Sequence, residues 1–581
     1  MTAAGWIQIA LFVAVLTALT PLLGGYLARV LQGEPIVLDR VLGPVERGIY
    51  RAIGVNRSSE QDWKRYARSI LLFNLAGFVV LYAILRTQTL HPFNPQDLAS
   101  PPWDLSFNTA ASFVANTNWQ FYGGETTLSY FSQMAGLTVQ NFLSAAVGIA
   151  VVAAVIRGFS RRTTTNLGNA YVDLTRTTLY VLLPISVVGA LFLVTQGAIQ
   201  NLDAYKTIDT LVGGTGDAAQ QTLGMGPAAS QEVIKMLGTN GGGFFNVNAA
   251  MPFSNPSGLT NVVLMLLILL IPAALTNTFG RMVGSRRQGW AIYAAMATMF
   301  IVGCVVLYAA ESHGTPAMHA AGLSGANMEG KDTRFGIGSS SLFAVVTTVA
   351  SCGAVNAAME SLTGIGSAIP LANMMTGEVI FGGVGSGLYG MLLFVLLAVF
   401  LAGLMVGRTP EYLGKKIGAR EIKLVAVGTL AVPLIVLALT ALATATRYGQ
   451  ASIFDAGPQG FSETLYAYTS QANNNGSAFA GYTGFLQPNG NNDGTLTVTF
   501  ANLMGGLAML FGRFLPMVAA LAVAGSLAGR RVTPAGPGTM RTDTPTFVVL
   551  LIGSVILVAL LTFVPALLLG PIAQGLTDSL F

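Results

Sequence analysis

The sequence predicts an all-α integral membrane protein of ten transmembrane helices, with four pseudo-repeated membrane-loop-membrane units around a central pore. Three observations carry that reading. Charged residues make up only 9% of 581 and apolar residues 52%, against roughly 25% charged in an average soluble domain. Ten segments are apolar over the length of about 20 residues that a helix needs to cross a bilayer. Four short polar stretches interrupt this pattern, each between two such segments: Thr117-Asn118-Trp119-Gln120, Thr239-Asn240-Gly241-Gly242, Ser351-Cys352-Gly353 and Asn473-Asn474-Asn475-Gly476.

The predicted spans cover approximately residues 6–30, 67–86, 131–156, 177–196, 259–280, 288–310, 380–407, 422–446, 497–528 and 545–569. The first has no basic segment before it and is too long for the apolar part of a secretory signal, so it reads as a retained span. The seventh opens on a run of glycines, and the ninth contains Arg513 and Pro516, which predicts irregular geometry in both. The chain accordingly divides into a first span with a basic loop (1–66), four pore repeats (67–157, 158–286, 287–420 and 421–531) and a last span (532–581).

Lys and Arg set the orientation. The connections after the odd-numbered spans, counted with their flanks, hold 23 of the 30 basic residues. The alternate connections hold Arg86, Lys206, Lys235, Lys331, Arg334 and Arg447, and Arg513 stands apart within a span. Basic residues concentrate on the inner side of membrane proteins, so both termini and all four polar stretches are predicted outside. The net charge of +5 therefore sits in short turns beside membrane lipid and is not a nucleic-acid-binding surface. Cys304 and Cys352 are far apart and set no disulfide framework; Cys304, inside an apolar run, reads as a small buried hydrophobe.

Irregular backbone is tolerated at membrane depth only where protein buries it or where it lines a polar cavity. Ahead of each polar stretch is a segment suited to a half-membrane helix: Leu105–Asn116, Ala229–Gly238, Ser339–Ala350 and Glu463–Ala472. The C-terminal end of such a helix carries partial negative charge, which favours a cation at the pore centre. Beyond it, glycine accepts the positive φ needed to turn carbonyls inward. Aligned on length, Gly242, Gly353 and Gly476 fall in equivalent places, with Gln120 as the odd copy, adding a side-chain oxygen or narrowing the path. Thr117, Asn118, Thr239, Asn240, Gly241, Ser351, Cys352, Asn474 and Asn475 complete the candidate ion-binding set, as ligands or as braces. Asn/Gly clusters are usually plain turns, but four at matching topological positions favour a pore.

Four charged residues are candidates for the ion path or a gate. Arg513, mid-span, would repel cations, act as a positive latch or form a structural ion pair. Glu125 and Glu378, read as lying at outer ends of spans, would enrich cations at the mouth or simply be solvated. Arg408, after Gly403 and Gly407, reads as a gate element or a positive-inside anchor. His91, His313 and His319 lie in outer loops without metal-ligand spacing, which leaves an integral membrane enzyme without a catalytic cluster. The chain has neither a Gly-x-x-x-x-Gly-Lys-Ser/Thr loop nor an Asp-Lys-Thr-Gly phosphorylation string, so it is expected to bind no nucleotide.

The strings Asn116 to Gln120, Thr239 to Asn246, Ser351 to Asn356 and Asn473 to Phe479, with Gly407 to Lys416, resemble the potassium-binding subunits of the bacterial Kdp-type potassium-transporting ATPases, over essentially the whole chain. The resemblance implies a fold of the potassium-channel-like superfamily of potassium transporters and a bacterial inner-membrane location. It also implies K+ as the transported ligand and a complex with a catalytic P-type ATPase subunit and two small membrane subunits. By motif match, Gln120, Gly242, Gly353 and Gly476 would be filter residues, with Glu378, Arg408 and Arg513 along or near the path. Thr483–Gly494 departs from the pattern as an insertion in an outer connection. A stand-alone potassium channel or ion-coupled transporter of the same superfamily is the alternative.

Overall fold

The computed structural model describes residues 1–211, 219–405, 407, 409–484, 499–534, 536 and 539–576. Among them are ten helices long and apolar enough to cross a membrane: Ala3–Gln32, Trp63–Arg86, Ser132–Ser160, Ala170–Thr195, Gly258–Met282, Arg286–Ala320, Ser386–Met405, Ala419–Ala445, Thr499–Ala528 and Pro545–Leu576. Local chemistry sets several of their ends. The Thr2, Asp62 and Thr544 side chains accept backbone N–H groups at helix starts, and Ser257 with Thr260 forms a reciprocal capping box. Ser132–Ser160 is almost wholly buried, whereas Ala3–Gln32, Trp63–Arg86 and Pro545–Leu576 keep most of their surface exposed. The former is an inner element; the latter face the surroundings with Leu11, Leu22, Leu75 and Leu561.

Four short helices, Trp103–Val114, Ala228–Leu237, Gly336–Val349 and Gly457–Asn473, lie between successive pairs of long ones and are nearly completely buried. Each packs between long helices: the first against Trp63–Arg86 and Thr499–Ala528, the fourth against Ala419–Ala445 and Thr499–Ala528. Small residues permit the close crossings. A side chain at Gly24 would strike the Ala274 carbonyl, and one at Gly158 would strike Ala524. At the opposite end from the polar loops, Lys415 in the Glu411–Lys416 hairpin donates to the carbonyls of Gly158, Arg161 and Leu527, tying two helix C-termini together.

One expectation about the spans is overturned, and another is met with a shifted boundary. The ninth is a continuous helix, Thr499–Ala528, through both Arg513 and Pro516. Proline removes one hydrogen bond, and packing on both sides holds the helix through it. The seventh begins at Ser386, not 380: Phe381, Gly382 and Gly385 have positive φ, and the Val384 carbonyl rests on Gly148 of the Ser132–Ser160 helix. Arg408 and most of the Thr483–Gly494 segment lie outside the described residues.

Candidate functional site

The four short helices end in one repeated backbone device. A left-handed residue follows one or two positions past each C-terminus: Asn116 (φ 65°), Thr239 (49°), Ser351 (48°) and Asn474 (62°). Two residues later a second left-handed residue follows: Asn118 (51°), Gly241 (83°), Gly353 (85°) and Gly476 (99°). The residue between them donates its N–H to a carbonyl in the last helical turn: Thr117 to Ser112 (2.9 Å), Asn240 to Lys235 (2.7 Å), Cys352 to Thr347 (3.1 Å) and Asn475 to Ser470 (2.8 Å). A left-handed residue reverses the direction of its peptide group, so two in alternation shape the same sharp loop four times.

This geometry corrects the register read from string length. Asn118, Gly241, Gly353 and Gly476 are the equivalent positions, and Gln120 and Gly242 stand further along their loops. Asparagine tolerates left-handed φ better than most residues, which is how the first copy dispenses with glycine. In the other three, the need is spatial as well. A Cβ on Gly241 would collide with the Cys352 carbonyl, one on Gly353 with that of Asn475, and one on Gly476 with that of Thr117. The loops thus form a closed ring in chain order, each leaning on the next.

Side chains clasp three of the four seams, and the second loop is also tied to the glycine run before Ser386. Asn116 donates to the carbonyls of Gly238 (3.2 Å) and Thr239 (3.0 Å). The Thr239 hydroxyl accepts from Val384 N–H (3.0 Å), Asn475 donates to the Thr347 carbonyl (3.0 Å), and Asn474 donates to the Thr117 hydroxyl (2.8 Å). Gln120 does not aim an oxygen into the path. Its amide pairs with both backbone groups of Gly243, donating at 3.2 Å and accepting at 3.0 Å. Glu125 likewise accepts the Asn246 N–H at 2.8 Å, and burial raises its pKa.

Cavities lie on both sides of the ring. A vestibule of about 810 Å³ is lined by Asn118, Gln120, Gly242, Gly353, Gly476 and Glu360, among others. A tight cavity of about 70 Å³ touches Ser351 and Asn474 at the helix C-termini, and Glu378 and Arg513 line it. Glu378 is therefore not a mouth residue. It is 3% exposed, and neither carboxylate oxygen has a hydrogen-bond partner. Arg513 forms no ion pair within hydrogen-bonding reach among the described residues; its guanidinium donates to the Ser144 carbonyl at 3.4 Å. Burying ionisable groups with so few partners is costly, and both line this cavity without pairing with each other.

Several supporting residues had not been picked out from the sequence. Ser144 donates to Asn116 Oδ1 (2.7 Å), and Asn248 donates to the Gly241 carbonyl (2.8 Å). Lys235, counted with the outer connections, is fully buried beside Glu232. The available signal was the pair itself, a Glu and a Lys three residues apart within a segment read as a half-membrane helix.

The family model described as potassium-transporting ATPase A subunit, KdpA, matches residues 10–576. A protein of Methylobacterium nodulans named potassium-transporting ATPase potassium-binding subunit is 57% identical, covering 100% of this chain and 98% of its own length. One of the same name from Mesorhizobium japonicum is 55% identical, covering 99% of each chain. The crystal structure of the potassium transporter TrkH from Vibrio parahaemolyticus has the same fold at a TM-score of 0.51 and 15% identity, covering 89% of this chain and 96% of that one. With the helix-loop ring in place and a match over nearly its whole length, the chain belongs to the KdpA family of potassium-transporting ATPase A subunits.

Proposed function

We propose that the four loops are the potassium filter through which this multi-pass membrane subunit takes K+ from outside the cell. The chain is the potassium-binding, non-catalytic subunit of a potassium-transporting ATPase complex. The observation that carries the filter reading is the doubled left-handed turn at four buried helix ends, with a vestibule on one side and a charged cavity on the other. Four helix C-termini direct partial negative charge at the centre, and neutral carbonyl dipoles replace the hydration shell of a monovalent cation. Backbone oxygens of Thr117–Asn118, Asn240–Gly241, Cys352–Gly353 and Asn475–Gly476 supply most of the contacts, with Asn116, Thr239, Ser351, Gln120, Gly242 and Asn474 shaping them.

Past the ring, Glu378 receives the dehydrated ion, and Arg513 keeps the cavity from holding it too tightly. The ion then passes to a catalytic P-type ATPase subunit, accompanied by two small membrane subunits, in a bacterial inner membrane with both termini outside. Hydrolysis takes place on that partner, and this chain binds no nucleotide. Direct K+ binding to the purified complex tests the filter. Gly353→Asp and Gly242→Asp should each abolish or strongly weaken binding, and Gln120→Arg should weaken it; parent-like binding in all three would overturn the assignment.

A further inference from the structure

The second loop differs from the other three in what lies behind it. The residue whose carbonyl anchors each loop is Ser112, Lys235, Thr347 or Ser470. In the first and fourth repeats its hydroxyl braces its own loop: Ser112 donates to the Trp119 carbonyl (2.9 Å), and Ser470 accepts the Gly476 N–H (2.9 Å). The second repeat places an ammonium there. The Lys235 side chain is 0% exposed and that of Glu232 2%. Lys235 Nζ lies 2.9 Å from Glu232 Oε2 and 2.7 Å from Asn248 Oδ1. It sits so close under Gly243 that a side chain at that glycine would strike it.

An ammonium can only donate, so it fixes the Asn248 amide with its oxygen toward Lys235. The Asn248 NH2 is thereby turned to the Gly241 carbonyl, 2.8 Å away. Gly241 is one of the four ring positions. We infer that Lys235, acting through Asn248, is a positioning residue that sets ion discrimination by holding the Gly241 carbonyl, while Glu232 cancels the charge that would otherwise repel the ion. Both ends of the chain matter. Without Asn248 the second corner of the ring can shift to fit other ions; without Glu232 an uncompensated positive charge stands directly behind the path. This inference rests on the filter reading above.

The test uses the complete complex in membranes, with KM and kcat measured for K+ and for Rb+. Asn248→Ala should shrink the K+/Rb+ preference about fivefold with kcat within a factor of two, a change in transition-state discrimination without loss of the catalytic step. Glu232→Gln should raise the KM for K+ about tenfold or more, because a buried charge acts at low effective dielectric. Lys235→Met/Glu232→Gln should recover most of that affinity while keeping the lowered preference. If Glu232→Gln does not assemble, the double variant decides: parent-like affinity with reduced preference supports the inference. An unchanged K+/Rb+ preference in both Asn248→Ala and the double variant overturns it. Gly353→Asp, run alongside, separates the two readings, because parent-like K+ affinity there would sink the filter itself.

Discussion

The two cavities either side of the ring are built on opposite plans. The outer one, about 810 Å³, is lined by the loops and by aromatic and charged side chains, and its charged groups, Lys331, Asp332 and Glu360, are each engaged by an ion pair or a hydrogen bond. The inner one, about 70 Å³, contains Glu378 and Arg513, which have few or no hydrogen-bond partners. A filter must be stiff to discriminate, and its stiffness comes from mutual satisfaction of its groups. A relay must let go, and groups with no fixed partner are free to respond to an arriving charge. On the proposed filter reading, selection and transfer would thus fall to different chemistry on the two sides of the ring.

The sharpest way to break this division is at the ring. Gly241→Ala should lower K+ uptake at limiting external K+ by about a hundredfold or more, since its Cβ has no room beside the Cys352 carbonyl; uptake by cells lacking other potassium systems measures it. Glu378→Gln should act on the other side, cutting kcat about tenfold while moving KM much less, as expected of a group used after binding. Steady-state ATPase assays over a K+ series would show the split, and an equal rise in KM would merge the two regions. Gln120→Ala should be milder, raising KM about threefold to fivefold through loss of two neutral hydrogen bonds to Gly243.

The smallest effect concerns a carboxyl packed beside Glu360 of the vestibule. Glu463, in the fourth short helix, accepts the N–H groups of Phe454 and Asp455. Burial first, and the neighbouring Glu360 charge second, push its carboxyl from the ordinary 4.5 up to about 9. The folded state then holds a proton that the unfolded chain releases, so stability falls as pH rises from about 4.5 to about 9. Thermal unfolding of the complex across that range should show the decline, and Glu463→Gln should flatten it.

Ten spans and four half-membrane helices were legible because apolar length is a local property of the string. The ring register was not. Gly241, Gly242 and Gly243 are indistinguishable by composition, and Asn118 takes left-handed φ without announcing it as glycine would. The landmark that fixes the register, the left-handed residue one or two positions after each helix, is Asn116, Thr239, Ser351 or Asn474, short polar residues that occur in any loop. Glu378 was misplaced because the chain re-enters through the glycine run before its seventh span begins. The burial of Lys235 went unread because hydropathy registers an ammonium but not the carboxylate and amide that enclose it.

Because all four corners of the ring are encoded in a single chain, Asn118 has a consequence for how this filter can evolve. A pore assembled from identical copies repeats every substitution at each corner, so a side chain tolerable once must be tolerated four times. Here one corner carries a Cβ while the other three have no space for it. If the ring is the proposed filter, mutation can therefore tune ion preference a quarter of the ring at a time, in steps a symmetric assembly cannot take.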